Sequence, residues 1–316
     1  MRKALVTGGC GFIGSNLTKE LVKQGWLVDV VDDMSNGHLE LLKGTKFKTL
    51  PNASFLYHYN QAIKGSINRS NDLVLVIQDD FAAFQMLDYI ETGEYEVIFH
   101  QAAIPRVSYS VENPVETTNV NITKTVALFN AAKGNVKRIV NASSSSVYGG
   151  ANKLPTKESE NRKNPKSPYA WQKSAVEDYS KICWHLYRLD IVNLRYFNVF
   201  GPGQYGDSPY STAVSAWCHA IKNGSDCRSD GDGEQSRDMC YVDNVVSANI
   251  LAADAEGYFG GLEYNIACGD RVSNNDVLKY LKKKFGSKVN IKHAPERAGD
   301  VKHTQADISY AMTNFG

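Results

Sequence analysis

At 316 residues and 34.9 kDa the chain can bury a sizeable core without disulfide or metal staples, which excludes a mini-protein scaffold. With 42% hydrophobic and 22% charged residues its composition is that of a globular protein, not a disordered one. Lys and Arg number 35 against 34 Asp and Glu, a net charge of +1, so no global field favours nucleic acid or an anionic membrane and any anion must be bound locally.

Ala4-Leu5-Val6-Thr7 reads as a short buried strand, followed by a glycine-rich turn and an amphipathic helix from about Phe12 to Lys23 with Leu17, Leu21 and Val22 on one face. Leu27–Val31 is a second strand closed by Asp32, which completes a βαβ unit within about thirty residues. Further strands are expected at Leu73–Ile77, Val97–His100, Arg138–Asn141 and Ile191–Arg195. Helix-length stretches at Val115–Lys133 and Pro168–Arg188 separate them. The alternation predicts an α/β fold with a doubly wound parallel sheet of the Rossmann kind. Residues 43–72 show no clean period and receive no assignment. Beyond about residue 196 a Gly-Pro-rich loop, a helix over Thr212–Asn223 and a polar glycine-rich stretch predict a smaller, less regular α/β domain. Lys282–Lys284 reads as the solvated last turn of a helix.

The six cysteines (Cys10, Cys183, Cys218, Cys227, Cys240, Cys268) are scattered, with no C-x-x-C pair and no His at zinc spacing, so reduced thiols and no metal are expected. The chain enters an apolar strand directly after Met1-Arg2-Lys3, without a signal-peptide pattern, and no apolar run approaches 18 residues. A cytoplasmic protein with no membrane partner is the expectation.

Two motifs carry the chemistry. Thr7-Gly8-Gly9-Cys10-Gly11-Phe12-Ile13-Gly14 sets glycines at 8, 11 and 14 between a strand and a helix. The first permits the tight turn, the second lets backbone approach a pyrophosphate, and the third lets helix pack on strand. The free N–H groups of the helix then hold phosphate. Asp32, about twenty residues on, is placed to accept hydrogen bonds from an adenosine ribose and would repel a 2′-phosphate, so NAD is favoured over NADP. In Tyr169-Ala-Trp-Gln-Lys173 a phenol and an ammonium share one helix face, and the cation is expected to pull the phenol pKa from about 10 toward neutrality so that it acts as a base. Ser143–Ser146 follows a strand at the carboxyl edge, where Ser144 can hydrogen-bond a sugar oxygen. Each motif alone arises by chance: a turn, a polar loop, an ordinary helix face.

In this order, and with the further stretches His100–Ala103, Ser143–Gly149, Arg195–Pro202, Gly231–Asp238, Tyr241–Asp243 and Arg297–Asp300, the chain resembles the extended short-chain dehydrogenase/reductase family, which acts on nucleotide sugars. The likeness runs nearly end to end. It implies a 1–195 NAD-binding Rossmann domain and a 196–316 nucleotide-sugar-binding domain, with an interleaved boundary. It implies that Gly8, Gly11, Phe12, Ile13, Gly14, Asp32, Asn36, Asp80, Phe81, Ala102, Asn119, Tyr169 and Lys173 line the NAD site, with a one-residue ambiguity at Asp79-Asp80. It also implies that Asn198, Arg237 and Arg297 hold the diphosphate, that Ser144, Tyr169 and Lys173 are catalytic, and that Ser144 and Ser145 face the sugar.

The dehydratases and decarboxylases of the family carry carboxylates just before the Val-Tyr-Gly element, whereas this chain has Ser145-Ser146 there. Without that proton shuttle, reversible oxidation at one carbon remains, and the resemblance implies a 4-epimerase that keeps its NAD bound. Thr304 occupies the position that is bulky in enzymes rejecting 2-acetamido sugars, so a UDP-N-acetylglucosamine 4-epimerase is expected, with UDP-glucose as a further substrate. UDP-glucuronate 4-epimerase is the alternative within the class, and a catalytically silent NAD-binding protein the alternative outside it. The family also implies a homodimer through the helices near 115–133 and 168–188.

Overall fold

Eight strands, all parallel, build one sheet in the order β12-β7-β6-β5-β1-β2-β4-β3 in the computed structural model, which describes residues 2–56, 70, 72–150, 153–159, 163–207, 211–296 and 301–315. The strands are β1 Lys3–Thr7, β2 Leu27–Val31, β3 Lys46–Leu50, β4 Leu73–Ile77, β5 Val97–His100, β6 Arg138–Ser144, β7 Ile191–Tyr196 and, far along the chain, β12 Glu263–Ile266. After β1 the chain forms β2, places β3 at the outer edge and β4 between them, then returns to place β5 on β1's other side. That reversal opens a crevice beyond the carboxyl ends of β1 and β5, the general ligand position in such sheets.

The strands read as continuous apolar runs because both faces are covered. Successive residues of β1 take opposite sides: Ala4 and Val6 enter one core with Leu17 and Leu21 of α1 (Phe12–Lys23), and Leu5 enters the other. The second core is closed by α2 (Phe84–Glu91), a long broken helix and α6 (Pro168–Tyr187), with α3 (Val107–Glu112) packed on α6. The broken helix is the segment expected as one piece over Val115–Lys133. It runs as α4 (Pro114–Thr118), a π-turn at Asn119–Lys124 and α5 (Thr125–Ala132). Proline at the first position of α4 sets its start, and the wider π-turn rotates the face that follows.

Strand β3 was not anticipated. Among the described residues it pairs only with β4, at the sheet edge, and its Lys46, Lys48 and Thr49 face solvent, which removes the apolar signal from the sequence.

Beyond residue 196, α7 (Ala213–Asn223) packs Trp217, Ala220 and Ile221 against Leu278 and Leu281 of α9 (Asn274–Phe285), whose last turn carries Lys282–Lys284. Short strands complete this unit: β8 (Asn198–Phe200) pairs with β11 (Met239–Tyr241), β9 (Cys227–Asp230) with β14 (Ile291–Ala294), and β10 (Ser236–Arg237) with β13 (Val272–Ser273). The same stretch also sends α8 (Val242–Asp254) onto α1's face of the large sheet and β12 onto its edge beside β7. A helix α10 (Ser309–Phe315) follows. All six cysteines are free thiols, four of them buried, with Cys218 and Cys268 exposed. Among the described residues no helix is long and apolar enough to cross a membrane.

Candidate active site

The glycine turn at the end of β1 is dictated by space. Gly8 has φ +67°, and a Cβ there would sit 2.9 Å from the backbone of Ala102, just past β5. A Cβ on Gly14 would lie 2.1 Å from the Gly8 carbonyl oxygen, so only glycine lets α1 start against the turn. Gly11 caps α1 without a side chain, and the first turn holds no acidic residue, which leaves its N–H groups open to an anion. Phe12 and Ile13 are half-buried at this mouth.

Asp32 is buried at the end of β2. Its Oδ2 accepts from Cys10 N at 2.9 Å and its Oδ1 from Met34 N at 2.9 Å. Burial raises its pKa on balance, with the two amides pulling the other way. The carboxylate thus ties the loop after β2 to the glycine turn, and a Cβ on Gly37 would lie 2.5 Å from Oδ1. Asn36 is exposed on this loop and accepts from Arg106 Nη2 at 3.1 Å. Past β4, Asp80 is ion-paired with Lys124 of the π-turn. Asp79 turns its Oδ2 to Ala53 N at 3.0 Å instead. Phe81 is buried edge-on to His100 at 5.0 Å. Ala102 N donates to Thr7 Oγ1 at 3.2 Å. Asn119 opens the π-turn and is exposed.

The proposed catalytic groups meet where β6 ends against α6. The Ser144 hydroxyl lies beside the Tyr169 phenol and favours its ionised form, and the Tyr169 amide donates to Ser110 Oγ at 3.1 Å. Lys173 is buried; its Nζ donates to the Ala142 carbonyl at 2.7 Å and lies 5.9 Å from the centre of the Tyr169 ring. Ser144 caps the turn Ser145–Tyr148 by accepting from Ser146 N at 3.2 Å, with Ser145 half-buried beside it.

The expected acidity of Tyr169 needs correcting. Burial pushes the phenol up to about 12, relieved only by the Ser144 hydrogen bond, and burial pushes the Lys173 ammonium down to about 8 against the pull of Glu177. The reason is direction: Nζ is committed to a backbone carbonyl and does not reach the phenol oxygen. Sharing a helix face does not by itself make a low-pKa tyrosine in a dry pocket.

Beyond β7 the diphosphate candidates form their own cluster. Tyr196 of β7 pairs with Ser144 in the sheet, so Asn198 follows two residues past the serine's level. Thr304 Oγ1 accepts from Asp238 N at 3.2 Å and donates to Asn198 Oδ1 at 3.4 Å. Arg237 Nη1 donates to the Ser236 and Lys302 carbonyls, each at 3.1 Å. Arg297 lies outside the described residues.

Two positioners do not stand out in the sequence. Asn121 is buried and clamps the backbone of Ile104 from both sides while donating to Gln172 Oε1 at 2.8 Å. The only trace is its spacing two residues past Asn119. Buried Asp238 accepts from the amides of Cys268, Gly269 and Ala306, drawing together three segments distant in the chain. Nothing local in the sequence announces that.

A doubly wound sheet with a glycine turn on its first strand and a Tyr/Lys pair on a helix across the crevice defines a nicotinamide-dinucleotide enzyme of the short-chain class. The profile of the NAD dependent epimerase/dehydratase family matches residues 4–267, and the chain belongs to that family, with NAD as its cofactor. It is 31% identical over 318 residues to the UDP-glucose 4-epimerase of Mycolicibacterium smegmatis, covering 99% of this chain and 92% of the relative. It is 33% identical over 310 residues to the UDP-glucuronate 4-epimerase of Thermodesulfobacterium geofontis, covering 97% of this chain and 88% of that one. Among solved structures it resembles the UDP-N-acetylglucosamine 4-epimerase of Methanobrevibacter ruminantium M1 in complex with UDP-N-acetylmuramic acid. That match has a TM-score of 0.86 and 35% identity, over 100% of this chain and 92% of the other.

Proposed function

We propose that the protein is an NAD-dependent UDP-sugar 4-epimerase whose preferred pair is UDP-N-acetylglucosamine and UDP-N-acetylgalactosamine, with UDP-glucose also accepted. The observation that carries the reaction type is the Ser144–Tyr169–Lys173 cluster at the carboxyl edge of β6, beside a serine run that holds no carboxylate. Acid and base steps of water loss have no group to serve them there.

NAD, when bound, supplies the hydride acceptor and a cationic ring. Ionised to phenolate once the cationic ring is in place, Tyr169 Oη would take the proton from sugar O4–H, and Ser144 Oγ would hydrogen-bond the same oxygen. Lys173 keeps negative charge tolerable on the phenol and holds the cofactor's ribose. Asn198, Arg237 and Arg297 would hold the diphosphate while the 4-keto sugar turns its opposite C4 face toward the cofactor for hydride return, and Tyr169 would give the proton back to O4. Anchoring the diphosphate away from C4 is what lets the sugar rotate without leaving. Phe12, Asp32, Asn36, Asp80, Phe81, Ala102 and Asn119 are assigned to the NAD site with the three glycines.

Thr304 supports the acetamido preference: a small side chain held by Asn198 and Asp238 leaves room that an aromatic ring would fill. A homodimer is part of the proposal, since Val111, Val115, Trp171, Ile182 and Leu186 are exposed on α3, α4 and α6.

The test is to mix purified protein with UDP-N-acetylglucosamine, without added NAD, and follow UDP-N-acetylgalactosamine by NMR. Approach to a mixture is expected, and Thr304→Tyr should cut the acetamido activity at least tenfold while sparing UDP-glucose. Conversion of UDP-glucuronate alone would replace the substrate assignment with that of the Thermodesulfobacterium relative. Silence with every sugar after adding NAD would overturn the epimerase reading.

A further inference from the structure

Three successive turns of α6 grip three successive residues of β6. Tyr169 faces Ser144, Lys173 Nζ bonds the Ala142 carbonyl at 2.7 Å, and Glu177 Oε1 accepts from Ser143 Oγ at 2.5 Å. The helix residues are spaced i, i+4 and i+8, so they form one stripe, and the third member has no part in the sequence motifs.

Glu177 is fully buried. Its Oε1 also accepts from Arg195 Nε at 2.8 Å, and its Oε2 accepts from Arg195 Nη2 at 2.8 Å and faces Lys163 Nζ at 3.1 Å. Arg195 Nη1 goes on to Tyr148 Oη at 2.9 Å, which donates to Asn265 Oδ1 at 2.6 Å. A simple ion pair with Arg195 would not need a carboxylate one turn below Lys173 with a fourth bond to the serine strand. A charged group buried this completely must have its hydrogen-bonding capacity met, and here the partners include the hydroxyl of Ser143, the residue before Ser144.

We propose that Glu177 is a positioning residue of the reaction: it holds the serine-bearing end of β6 against α6 and supplies the buried negative charge that keeps Lys173 an ammonium. This rests on the epimerase reading for its activity arm. The titratable and charged groups around Lys173 are Tyr169 and Glu177 on its own helix and His100 on β5. Arg195 on β7 and Lys163 in the segment before α6 act on Glu177. Glu177 raises the Lys173 pKa, whereas desolvation lowers it. At an i,i+4 separation on the order of 6 Å and an effective dielectric of about 20, the Glu177 charge is worth roughly one to two pH units on Lys173.

The experiment compares pH–kcat profiles of the holoenzyme with Glu177→Gln, Lys163→Met and Ser143→Ala. Glu177→Gln keeps the shape and the bond to Ser143, and its alkaline limb should move down by about one pH unit or more. Lys163→Met removes a cation from the other side of Glu177 and leaves Arg195 in place, so its limb should move up by a few tenths. Ser143→Ala should lower kcat severalfold with the limb unmoved. Lys163 is partly exposed, so its variant remains informative if Glu177→Gln does not fold. Limbs that coincide with wild type in every folded charge variant overturn the proposal, because a scaffold role alone shifts no titration. Nuclear magnetic resonance of 13Cε-labelled lysine reads the Lys173 titration directly, so the comparison stands even if wild type epimerises nothing.

Discussion

Replacing Gly14 by alanine tests whether the glycine turn is a cofactor seat set by contact distances. The new Cβ would lie 2.1 Å from the Gly8 carbonyl oxygen and 2.8 Å from both Gly8 C and Gly9 Cα, against 3.4 Å for ordinary contact, an overlap of about 1.3 Å at the worst atom. The atoms it meets are backbone, and Gly8 N is itself bonded to the Val31 carbonyl at 2.8 Å, so the turn cannot give way. α1 must back off instead, and it carries Leu17 and Leu21 from full burial. Overpacking of this kind costs about 1–3 kcal/mol, a drop in Tm of roughly 2–5 °C for a chain of this length. The same displacement carries the free N–H groups of α1 about 1 Å from their phosphate positions, so the variant should purify without NAD. Thermal denaturation and chromatography of nucleotide released by acid measure both effects. Gly25→Ala is the matched control: at φ +83° with nothing within 4 Å, it pays strain of about 1–2 kcal/mol and should keep its cofactor. A Gly14→Ala protein that retains NAD and melts with wild type would refute the reasoning.

Other outcomes follow from particular contacts. Tyr169→Phe should fold and retain NAD yet lose at least a thousandfold in turnover; full activity would remove the proposed base. Arg138→Met strips the fully buried Asp190 of a partner at 2.6 Å and three carbonyls of their donor, which should cost about 3–5 kcal/mol in a denaturant melt. Adding Asp190→Asn should recover part of that loss, and no recovery would mean the charge is not the cause. His100 is held between Thr7 Oγ1 at 2.8 Å and Thr125 Oγ1 at 3.0 Å, and burial pushes its pKa down to about 3. The folded state therefore refuses a proton that the unfolded chain takes up below about 6.5, so stability falls as pH drops from that value toward 3. The loss is on the order of 2 kcal/mol at pH 5. Urea melts at pH 7 and 5 should show this slope in wild type and a flatter one in His100→Asn; equal slopes would show that His100 is not its source.

The strands with continuous apolar runs were legible to within a residue or two, because β2, β4 and β5 are buried on both faces and need no pattern subtler than that. β3 was not, since an edge strand with lysines outward looks like a loop. α6 was legible over its whole length, whereas the helix around Asn119 hid its π-turn, which has no composition of its own. After residue 196 the strands are short and paired two by two, and β12 and α8 rejoin the large sheet through contacts across the chain.

The candidate site divides in the same way. Gly8, Gly11, Gly14 and Asp32, and Tyr169 with Lys173, were readable from sequence because one strand-turn-helix-strand unit or one helical period fixes their spacing. What only the tertiary structure decided is what those groups face. Lys173 turns to the Ala142 carbonyl, Tyr169 is dry and reluctant to ionise, Thr304 leans on Asn198, and Glu177 closes the stripe on β6. Spacing along a chain determines which side chains share a face. Their pKa values and partners depend on desolvation and on atoms many residues away, and those are set only when α6 settles against β6.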